Sequence, residues 1–272
     1  MKGTTPQGAR SEREAAESVR AMFGRVAHRY DLANHLLSFN IDRYWRAHTV
    51  ARVRDVLARP EARVLDICCG TGDLVRALQR GRPAGVPGSS GSPWPVMGSD
   101  FCHPMLVAAR AKLGTEPGAR MLFEADALSL PLANASLDLI TVAFGFRNLA
   151  NYETGLREMR RVLRSGGMAA ILEFSQPPNP LFGALYSFYS RRVLPAIGGA
   201  LSGSRDAYTY LPESVRKFPA PEELAGMMRG AGFGRVEFER LTGGIVALHV
   251  GRVVTGGRDL SPPVARASAC EP

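Results

Sequence analysis

Short apolar runs alternate with longer amphipathic stretches along most of the chain, the pattern of β-α units built on a mainly parallel sheet. The apolar runs predict strands at residues 63–67, 96–100, 121–124, 137–144, 168–174, 236–241 and 245–252. The amphipathic stretches between them predict helices at residues 72–79, 104–113, 152–163 and 221–231. In the helix at 152–163, Leu156, Met159 and Leu163 share one face, as expected for a helix packed on a sheet.

The last two predicted strands are separated only by Thr242, Gly243 and Gly244. A parallel pair of strands needs a crossover of about a dozen residues or more, so a link this short requires an antiparallel pair. The sequence therefore predicts an α/β fold whose seven-stranded, mostly parallel sheet ends in an antiparallel hairpin.

Three stretches lack any periodicity. Residues 1–17 and 254–272 are rich in Gly, Pro, Ser and charge, so a flexible N-terminus and a flexible tail are expected. Residues 81–95 read GRPAGVPGSSGSPWP, which predicts a surface loop inserted between two regular elements. Residues 18–253 form the predicted domain, and within it residues 18–58 predict two or three helices that cap the carboxyl edge of the sheet.

The composition leaves the class of partner open. A formal net charge of +9 suits nucleic acid or an anionic membrane surface. Of the 34 basic residues only Lys2, Lys112 and Lys217 are lysine, and an arginine-rich usage is also what a GC-rich genome produces. Charge alone therefore does not choose a partner.

Several features point to the cytoplasm. The four cysteines form no disulfide framework and no C-x-x-C pattern, which suits a reducing compartment. The first 20 residues have no apolar stretch, so no secretory signal is expected. The most apolar segment, residues 181–201, carries Arg191, Arg192 and Pro195 at its middle and is not expected to span a membrane.

The turn after the first strand carries Gly70 and Gly72 and leads into a helix. Glycines at such a turn let a ligand approach the backbone, and open α/β sheets bind ligands at the carboxyl ends of their strands. A dinucleotide fingerprint would need a third glycine where Val75 stands. Asp73 occupies the start of the helix, which disfavours a diphosphate there.

Carboxylates follow the next two strands. Asp100 ends the second strand and could accept hydrogen bonds from both hydroxyls of a ribose, or could instead cap the following helix. Asp126 follows the third strand, where it could accept a hydrogen bond from an adenine amino group. Together with the glycine turn, these residues predict a nucleoside site without phosphate recognition.

Larger blocks make the chain resemble the UbiE-type C-methyltransferases of demethylmenaquinone and ubiquinone biosynthesis. The resemblance covers residues 22–251 and is carried by blocks at 23–46, 64–74, 144–148, 158–167, 172–177, 208–219, 227–233 and 241–251. The glycine turn VLDICCGTGDL is shared by methyltransferases in general, whereas YDLAN, FGFRN and GIVALH are specific to this family. The resemblance implies a class I, Rossmann-like methyltransferase fold, which agrees with the seven-stranded pattern.

The resemblance also implies a cofactor and its contacts. The cofactor would be S-adenosyl-L-methionine, bound at Thr71, Asp100, Asp126, Ala127 and Ala143 beside the glycines of the first turn. Ala143 stands where many relatives carry serine, so a side-chain hydrogen bond is lost there. Further departures are Cys68 and Cys69, which replace small residues or glycine, and Asn40, which replaces glycine.

The implied reaction is methylation of a ring carbon of a prenylated quinol, with demethylmenaquinol as the expected substrate and the ubiquinone-pathway benzoquinol as the alternative. Arg147 and Asn148 would be catalytic, with Arg147 stabilising a developing phenolate. Arg147 could instead pair with an acid and only brace its loop. The expected substrate-binding residues are Tyr30, Asn34, Phe146, Tyr208, Tyr210, Ser214 and Arg216, and for the aromatic ones core packing is the alternative.

Two other functions compete with quinol methylation. The basic charge would suit an RNA or protein methyltransferase, but the fourth strand lacks the Asp/Asn-Pro-Pro-aromatic turn and no aromatic-basic stripe appears, so no nucleic-acid partner is expected. A nucleoside-binding regulator without catalysis is a further alternative. The five histidines share no ligand spacing, so no metal site is expected. Peripheral contact with the inner face of the membrane through residues 181–194, and a homodimer, stay open.

Overall fold

The computed structural model describes residues 3–6, 8–27, 38, 40–82, 94–193 and 205–254. Its strands are β1 (Val64–Ile67), β2 (Met97–Asp100), β3 (Leu122–Glu124), β4 (Leu137–Ala143), β5 (Leu163–Phe174), β6 (Arg235–Leu241) and β7 (Val246–Arg252). Its helices are α1 (Glu12–Val26), α2 (Ile41–Arg52), α3 (Arg54–Leu57), α4 (Asp73–Gly81), α5 (His103–Leu113), α6 (Tyr152–Val162), α7 (Pro180–Phe188), α8 (Arg205–Lys217) and α9 (Pro221–Gly230).

The seven strands form one sheet in the order β3-β2-β1-β4-β5-β7-β6. Strand β1 pairs in parallel with β2 and β4, and the parallel part extends to β3 on one side and β5 on the other. Strand β7 runs antiparallel to both β5 and β6. The predicted fold class is therefore confirmed, including the antiparallel hairpin that the short link at Thr242–Gly244 requires.

The core lies on both faces of the sheet. Leu139 and Ile140 are neighbours in β4 and belong to different buried clusters, because successive side chains of a strand point to opposite faces. Helices α6 and α9 cover one face, where Leu156 and Met228 are buried. Helices α2 and α4 contribute Trp45 and Leu78, among others, to the cluster on the other face. This double cover makes the central strands continuously apolar.

Some predicted boundaries differ from the structure. Helix α1 begins at Glu12, upstream of the predicted boundary at residue 18, because Ser11 accepts a hydrogen bond from the backbone N–H of Glu14 and so caps a helix whose Ala15 is buried. The helix predicted at 152–163 ends at Val162, and β5 begins at Leu163, where Leu137 of β4 pairs with it. Most of the predicted 81–95 loop and most of the predicted tail lie outside the described residues.

Within the described part of the chain, no helix is long and apolar enough to cross a membrane.

Candidate functional site

A cavity of about 370 Å³ opens at the carboxyl ends of the parallel strands, beneath helices α1 and α2. It brings together most of the residues that the sequence predicts for a cofactor site and two that it predicts for catalysis. The predicted residues that line it are Gly70, Thr71, Asp100, Asp126, Ala127, Ala143, Arg147, Asn148 and Tyr210. This placement follows from the topology, since parallel strands end at the same edge of the sheet.

The turn after β1 is built around two glycines with positive φ. Gly70 has φ of 53°, and nothing lies within 4 Å of the position that a Cβ would take there, so the backbone of Gly70 faces open space. Gly72 has φ of 84° and does not line the cavity, because it packs against Leu113 of α5. Gly70 is thus the glycine that a ligand could approach, and Gly72 serves helix packing.

Asp100 links the end of β2 to the turn after β1. One oxygen of its buried carboxylate accepts from the backbone N–H of Gly70 at 2.9 Å, and the other accepts from that of Cys102 at 2.9 Å. Burial raises the pKa of Asp100, and the backbone N–H groups oppose that rise. The bond to Cys102 is a local turn contact two residues along the chain, and α5 has no side-chain cap, so Asp100 does not cap this helix. A carboxylate has about four acceptor sites, so these two bonds leave room for hydrogen bonds from a ligand.

Asp126 and Ala127 form the next part of the rim. Asp126 is exposed and accepts from the backbone N–H of Leu128 at 2.9 Å, which holds its carboxylate at the edge of the cavity. Ala127 is buried beneath it. Ala143, at the end of β4, offers only a methyl group and backbone atoms, as the sequence indicates.

Arg147 is buried and paired. Its Nη1 donates to Glu173 at 2.8 Å and to the carbonyl oxygen of Phe144 at 2.5 Å, while Nε donates to Ser214 at 3.3 Å. The backbone N–H of Arg147 donates to the second oxygen of Glu173 at 3.1 Å. The acid that a bracing role requires is therefore present, and a catalytic contribution of Arg147 stays a prediction.

Glu173 was missed by the sequence analysis. It lies near the end of β5 with an exposed fraction of only 1%. The signal was available, because an acid inside an otherwise apolar strand needs a buried partner. What the sequence could not supply was the partner, which lies 26 residues away along the chain.

Asn148 and Tyr210 are linked across the cavity. The Tyr210 hydroxyl donates to Oδ1 of Asn148 at 3.0 Å and lies 2.7 Å from the hydroxyl of Thr4. Thr4 is buried, and its backbone N–H donates to the carbonyl oxygen of Leu149 at 2.8 Å. A residue assigned to the flexible N-terminus thus contacts the predicted substrate-binding residue Tyr210.

Of the remaining predicted substrate contacts, Phe146, Ser214 and Arg216 do not line the cavity. Phe146 is fully buried in the core, stacked on Tyr152 and edge-on to Phe218. Ser214 lies behind Arg147, and Arg216 is exposed, with its carbonyl oxygen accepting from Gln176. Phe146 and Arg216 thus lie outside the cavity lining, and their assignment to the substrate pocket stays a prediction. Tyr30 and Asn34 lie outside the described residues, as does the side chain of Tyr208.

An aromatic wall formed by Trp45, Phe144 and Phe174 was also missed. The ring centroids of Phe144 and Phe174 lie 4.7 Å apart, and Trp45 lies 5.7 Å from the first and 6.1 Å from the second. All three line the cavity, and the Arg147 guanidinium carbon lies 5.3 Å from the centre of the Phe174 ring. Trp45 is fixed by a hydrogen bond from Nε1 to the Thr242 hydroxyl at 2.8 Å.

Three of the residues around this edge have strained backbones. Cys68, Phe144 and Thr242 have φ of 50°, 59° and 50°, a region that side chains other than glycine rarely occupy, and all three line the cavity. Such strain tends to cluster at functional sites. It also explains why Phe144 leaves the predicted strand, since β4 ends at Ala143.

Asp66 is a further buried acid at this edge. It follows Leu65 in β1 and accepts from the Thr141 hydroxyl at 2.7 Å. Burial raises its pKa to about 8, and the bond from Thr141 opposes the rise. Asp66 thus lines the cavity as an acid whose pKa burial raises.

Comparison with known proteins assigns the chain to a family. The family model described as the ubiE/COQ5 methyltransferase family matches residues 9–253, nearly the whole described body. The chain belongs to that family. The resemblance seen in the sequence blocks is thereby confirmed.

Curated relatives align with this chain over most of its length. A protein from Thermus thermophilus named demethylmenaquinone methyltransferase is 46% identical over 230 residues, which cover 85% of this chain and 99% of that protein. One of the same name from Deinococcus radiodurans is 45% identical, covering 88% and 94%. A protein from Syntrophotalea carbinolica named ubiquinone/menaquinone biosynthesis C-methyltransferase UbiE is also 45% identical, covering 86% and 94%.

Solved structures agree on the fold. A SAM-dependent methyltransferase from Thermotoga maritima, described as a possible histamine N-methyltransferase, superposes with a TM-score of 0.57 at 20% identity, covering 85% of this ubiE/COQ5 family member and 98% of that chain. At this identity the likeness concerns the architecture, which is that of a class I methyltransferase.

Proposed function

We propose that the protein is an S-adenosyl-L-methionine-dependent C-methyltransferase that converts a prenylated demethylmenaquinol to menaquinol. Its family and the names of its relatives support this activity. One observation in the structure carries the proposal. A single cavity contains the acids suited to a nucleoside and, beside them, an aromatic wall with a buried arginine suited to a flat phenolic ring.

The residues at the strand ends suit S-adenosylmethionine. Asp100 would accept hydrogen bonds from the ribose hydroxyls, Asp126 and Ala127 would border the adenine, and Ala143 would contact the cofactor through its backbone and methyl group. The open space beside Gly70 and Thr71 allows close approach of a ligand to the backbone. Bound there, the cofactor would supply a methyl group on a positively charged sulfur.

The quinol ring packs against the aromatic wall of Trp45, Phe144 and Phe174. Arg147 then stabilises the negative charge that grows on the quinol oxygen as its hydroxyl loses a proton, which makes the neighbouring ring carbon nucleophilic. Glu173 and Ser214 hold the guanidinium in position. Asn148, fixed by Tyr210, orients the same oxygen. The burial of Arg147 and Glu173 strengthens their interaction.

A comparison of the reduced and the oxidised substrate tests the proposal. Only the reduced ring is electron-rich enough to attack a methyl sulfonium, so methylation should require a reductant that keeps the quinol reduced. We expect transfer of labelled methyl from S-adenosylmethionine to reduced demethylmenaquinol, and no transfer to the oxidised quinone. Equal initial rates with both forms would contradict C-methylation of a quinol.

A ubiquinone-pathway benzoquinol is the second candidate substrate, because one relative carries a name that covers both pathways. Naphthoquinol and benzoquinol substrates with the same prenyl tail, supplied together, would compete for the enzyme. We expect the naphthoquinol to be methylated faster, since a two-ring substrate has more surface to stack on the aromatic wall.

The proposed location is the cytoplasm, with peripheral contact at the inner face of the membrane. Leu181, Leu185 and Phe188 of α7 have exposed fractions of 82%, 65% and 62% and share one helix face. Tyr186 and the neighbouring Tyr189 line the cavity. A helix that faces the cavity on one side and offers apolar side chains on the other suits the transfer of a prenyl tail from a bilayer. The net charge of +9 would attract the protein to a bilayer that carries anionic lipids. A homodimer and the lack of a nucleic-acid partner stay predictions.

A further inference from the structure

Residues 3–6 lie against the cavity wall without forming a helix or a strand, and they are called the N-terminal strap below. The backbone N–H of Thr4 donates to the carbonyl oxygen of Leu149 at 2.8 Å. A Cβ at Gly3 would lie 2.3 Å from the carbonyl carbon of Ala150, so the strap passes too close to that residue for any side chain. Leu149 and Ala150 both line the cavity, so the strap packs directly behind its wall.

The strap is also tied to α8, the helix that carries Tyr210. Lys217, the last residue of α8, donates to the carbonyl oxygen of Thr5 at 3.0 Å and to its hydroxyl at 3.1 Å. The family model matches residues 9–253, which begin downstream of the strap. These contacts are therefore made by residues that precede the part of the chain that the family model matches.

Thr4, Tyr210 and Asn148 form a directed chain of hydrogen bonds. The Tyr210 hydroxyl lies 2.7 Å from Oγ1 of Thr4 and 3.0 Å from Oδ1 of Asn148. Because an amide oxygen can only accept, Tyr210 uses its single proton there, and Thr4 is the donor to Tyr210. Burial raises the pKa of Tyr210, and the bond with Thr4 opposes the rise, so the hydroxyl keeps its proton at neutral pH. Hydrogen bonds that follow one another in this way strengthen each other.

This chain decides which end of the Asn148 amide a ligand meets. The amide oxygen is engaged by Tyr210, whereas Nδ2 donates to no residue within the described part of the chain. Asn148 lines the cavity, so it offers a ligand there an N–H donor. An amide turned by half a rotation would offer an acceptor instead, and an acceptor repels the oxygen of a quinol that is losing its proton.

We propose that Thr4 is a positioning residue for Asn148. Acting through Tyr210, Thr4 holds the amide with its NH2 group available to the quinol oxygen, where a fixed donor stabilises the charge that develops during methyl transfer. This inference rests on the proposed function, because it assumes a quinol in the cavity. Thr4 is buried behind the cavity wall, so its effect on the reaction passes through the other two side chains.

Thr4→Val tests the proposal, because it keeps the shape of the side chain and removes the hydroxyl. Single-turnover methylation of reduced demethylmenaquinol should slow about threefold to tenfold, the range expected for one neutral hydrogen bond. Affinity for S-adenosylmethionine, measured by calorimetric titration, should stay within about twofold of wild type. Thr4→Ser keeps the hydroxyl and should restore most of the rate. Equal rates in the Val and Ser variants would overturn the proposal.

Thr5→Val is the matched control on the neighbouring residue. It removes a hydroxyl that contacts Lys217, while the carbonyl oxygen of Thr5 still accepts from the same ammonium. This variant should methylate the quinol like the wild type. An equal loss of rate in Thr4→Val and Thr5→Val would mean that the strap only needs to be seated, and would overturn a specific role for Thr4.

A double-variant comparison tests the route through Tyr210. In a Tyr210→Phe background the chain of hydrogen bonds is already broken, so adding Thr4→Val should lower the rate no further. Losses of rate that simply multiply in the double variant would show that Thr4 acts by another path.

A spectroscopic measurement follows the Asn148 amide without any turnover. In protein isotopically labelled at its asparagine side-chain nitrogens, the magnetic resonance signal of Asn148 is identified by its loss in Asn148→Ala. This signal should shift in Thr4→Val and stay in place in Thr5→Val, and an unchanged signal in Thr4→Val would overturn the proposal. Failure of the wild type to methylate any quinol would contradict the proposed function, and the amide signal would still decide whether Thr4 positions Asn148.

Discussion

The carboxylate of Asp100 receives backbone N–H groups on both of its oxygens, so its geometry is set before any ligand arrives. Replacing it removes hydrogen bonds to a charged group, each worth about 1.5–3 kcal/mol. We expect Asp100→Ala to weaken binding of S-adenosylmethionine at least about tenfold, measured by calorimetric titration. Circular dichroism would verify that the fold persists. Wild-type affinity in a folded variant would remove Asp100 from the cofactor site.

The ion pair between Arg147 and Glu173 complicates a test of catalysis at Arg147. A single Arg147→Gln change leaves Glu173 as an unpaired buried charge, which costs about 3–5 kcal/mol of stability. The double variant Arg147→Gln, Glu173→Gln removes both charges and should recover much of that stability. If Arg147 stabilises the phenolate, single-turnover methylation falls by about a hundredfold or more in both variants.

The double variant therefore separates the two roles of Arg147. S-adenosylmethionine affinity should stay within about threefold of wild type in the double variant, because the lost contact is made in the transition state. A stable double variant that methylates the quinol at near wild-type rate would show that Arg147 only braces the loop.

His249 provides a pH-dependent part of the stability. Its Nε2 donates to the carbonyl oxygen of Pro221 at 2.9 Å, and burial lowers its pKa from 6.5 to about 4. The unfolded chain then binds the proton more readily, so the stabilisation is fully present above about pH 6.5 and is lost as the pH falls to about 4. Urea unfolding should show that the stability advantage of wild type over His249→Gln shrinks by up to roughly 3 kcal/mol across this window.

The control for this experiment is Val107→Gln, because the Val107 side chain is 57% exposed and carries no titratable group. The difference between its unfolding free energy and that of the wild type should stay constant over the same pH range. A constant difference between wild type and His249→Gln would exclude the proposed linkage.

At the scale of elements, the exposed face of α7 can be tested apart from the chemistry. Changing Leu181, Leu185 and Phe188 together to Gln should reduce co-sedimentation with anionic phosphatidylglycerol vesicles several-fold, because the buried apolar area is lost. Methylation of a short-tailed, soluble quinol should persist. Val107→Gln on α5, which is 57% exposed, is the control. Unchanged vesicle binding in the triple variant would exclude α7 as the contact.

The elements themselves follow closely from the sequence. The strands and most helices appear near their predicted positions because burial on both faces of a parallel sheet leaves a clear apolar pattern. The exception at the end of β4 is instructive. Residues i and i+2 share a face only while the chain stays extended. The positive φ of Phe144 interrupts the extended backbone, so Phe144 and Phe146 do not share a face. Phe144 consequently lines the cavity, whereas Phe146 enters the core.

The site was only partly predictable. Asp100, Asp126 and the glycine turn were accessible because they follow strands whose ends must meet. Glu173 and Trp45 were not, because their roles depend on partners from distant segments. The local pattern of apolar and polar residues does not show that α2 reaches the edge of the sheet. It also does not show that Arg147 pairs with Glu173 of β5.

At the scale of the whole molecule, the start of the domain is attached to its end. Trp45 donates to Thr242, His48 lies 2.8 Å from Glu239, and Arg252 donates to Asp55. These contacts join residues that are almost two hundred positions apart in the chain. The cap helices are thus held in place by the C-terminal hairpin as well as by their own packing.

This attachment has a consequence for biosynthesis, because a chain leaves the ribosome from its N-terminus. Helix α2 emerges early, yet the hydroxyl that fixes Trp45 belongs to one of the last segments to be translated. Until then the cap helices lack their C-terminal partner strands, and the Trp45 indole N–H lacks the hydroxyl that accepts its hydrogen bond. The cavity is therefore completed late, and a translation product that stops before β6 has five of the seven strands but lacks Thr242 and Ile245 of the cavity wall.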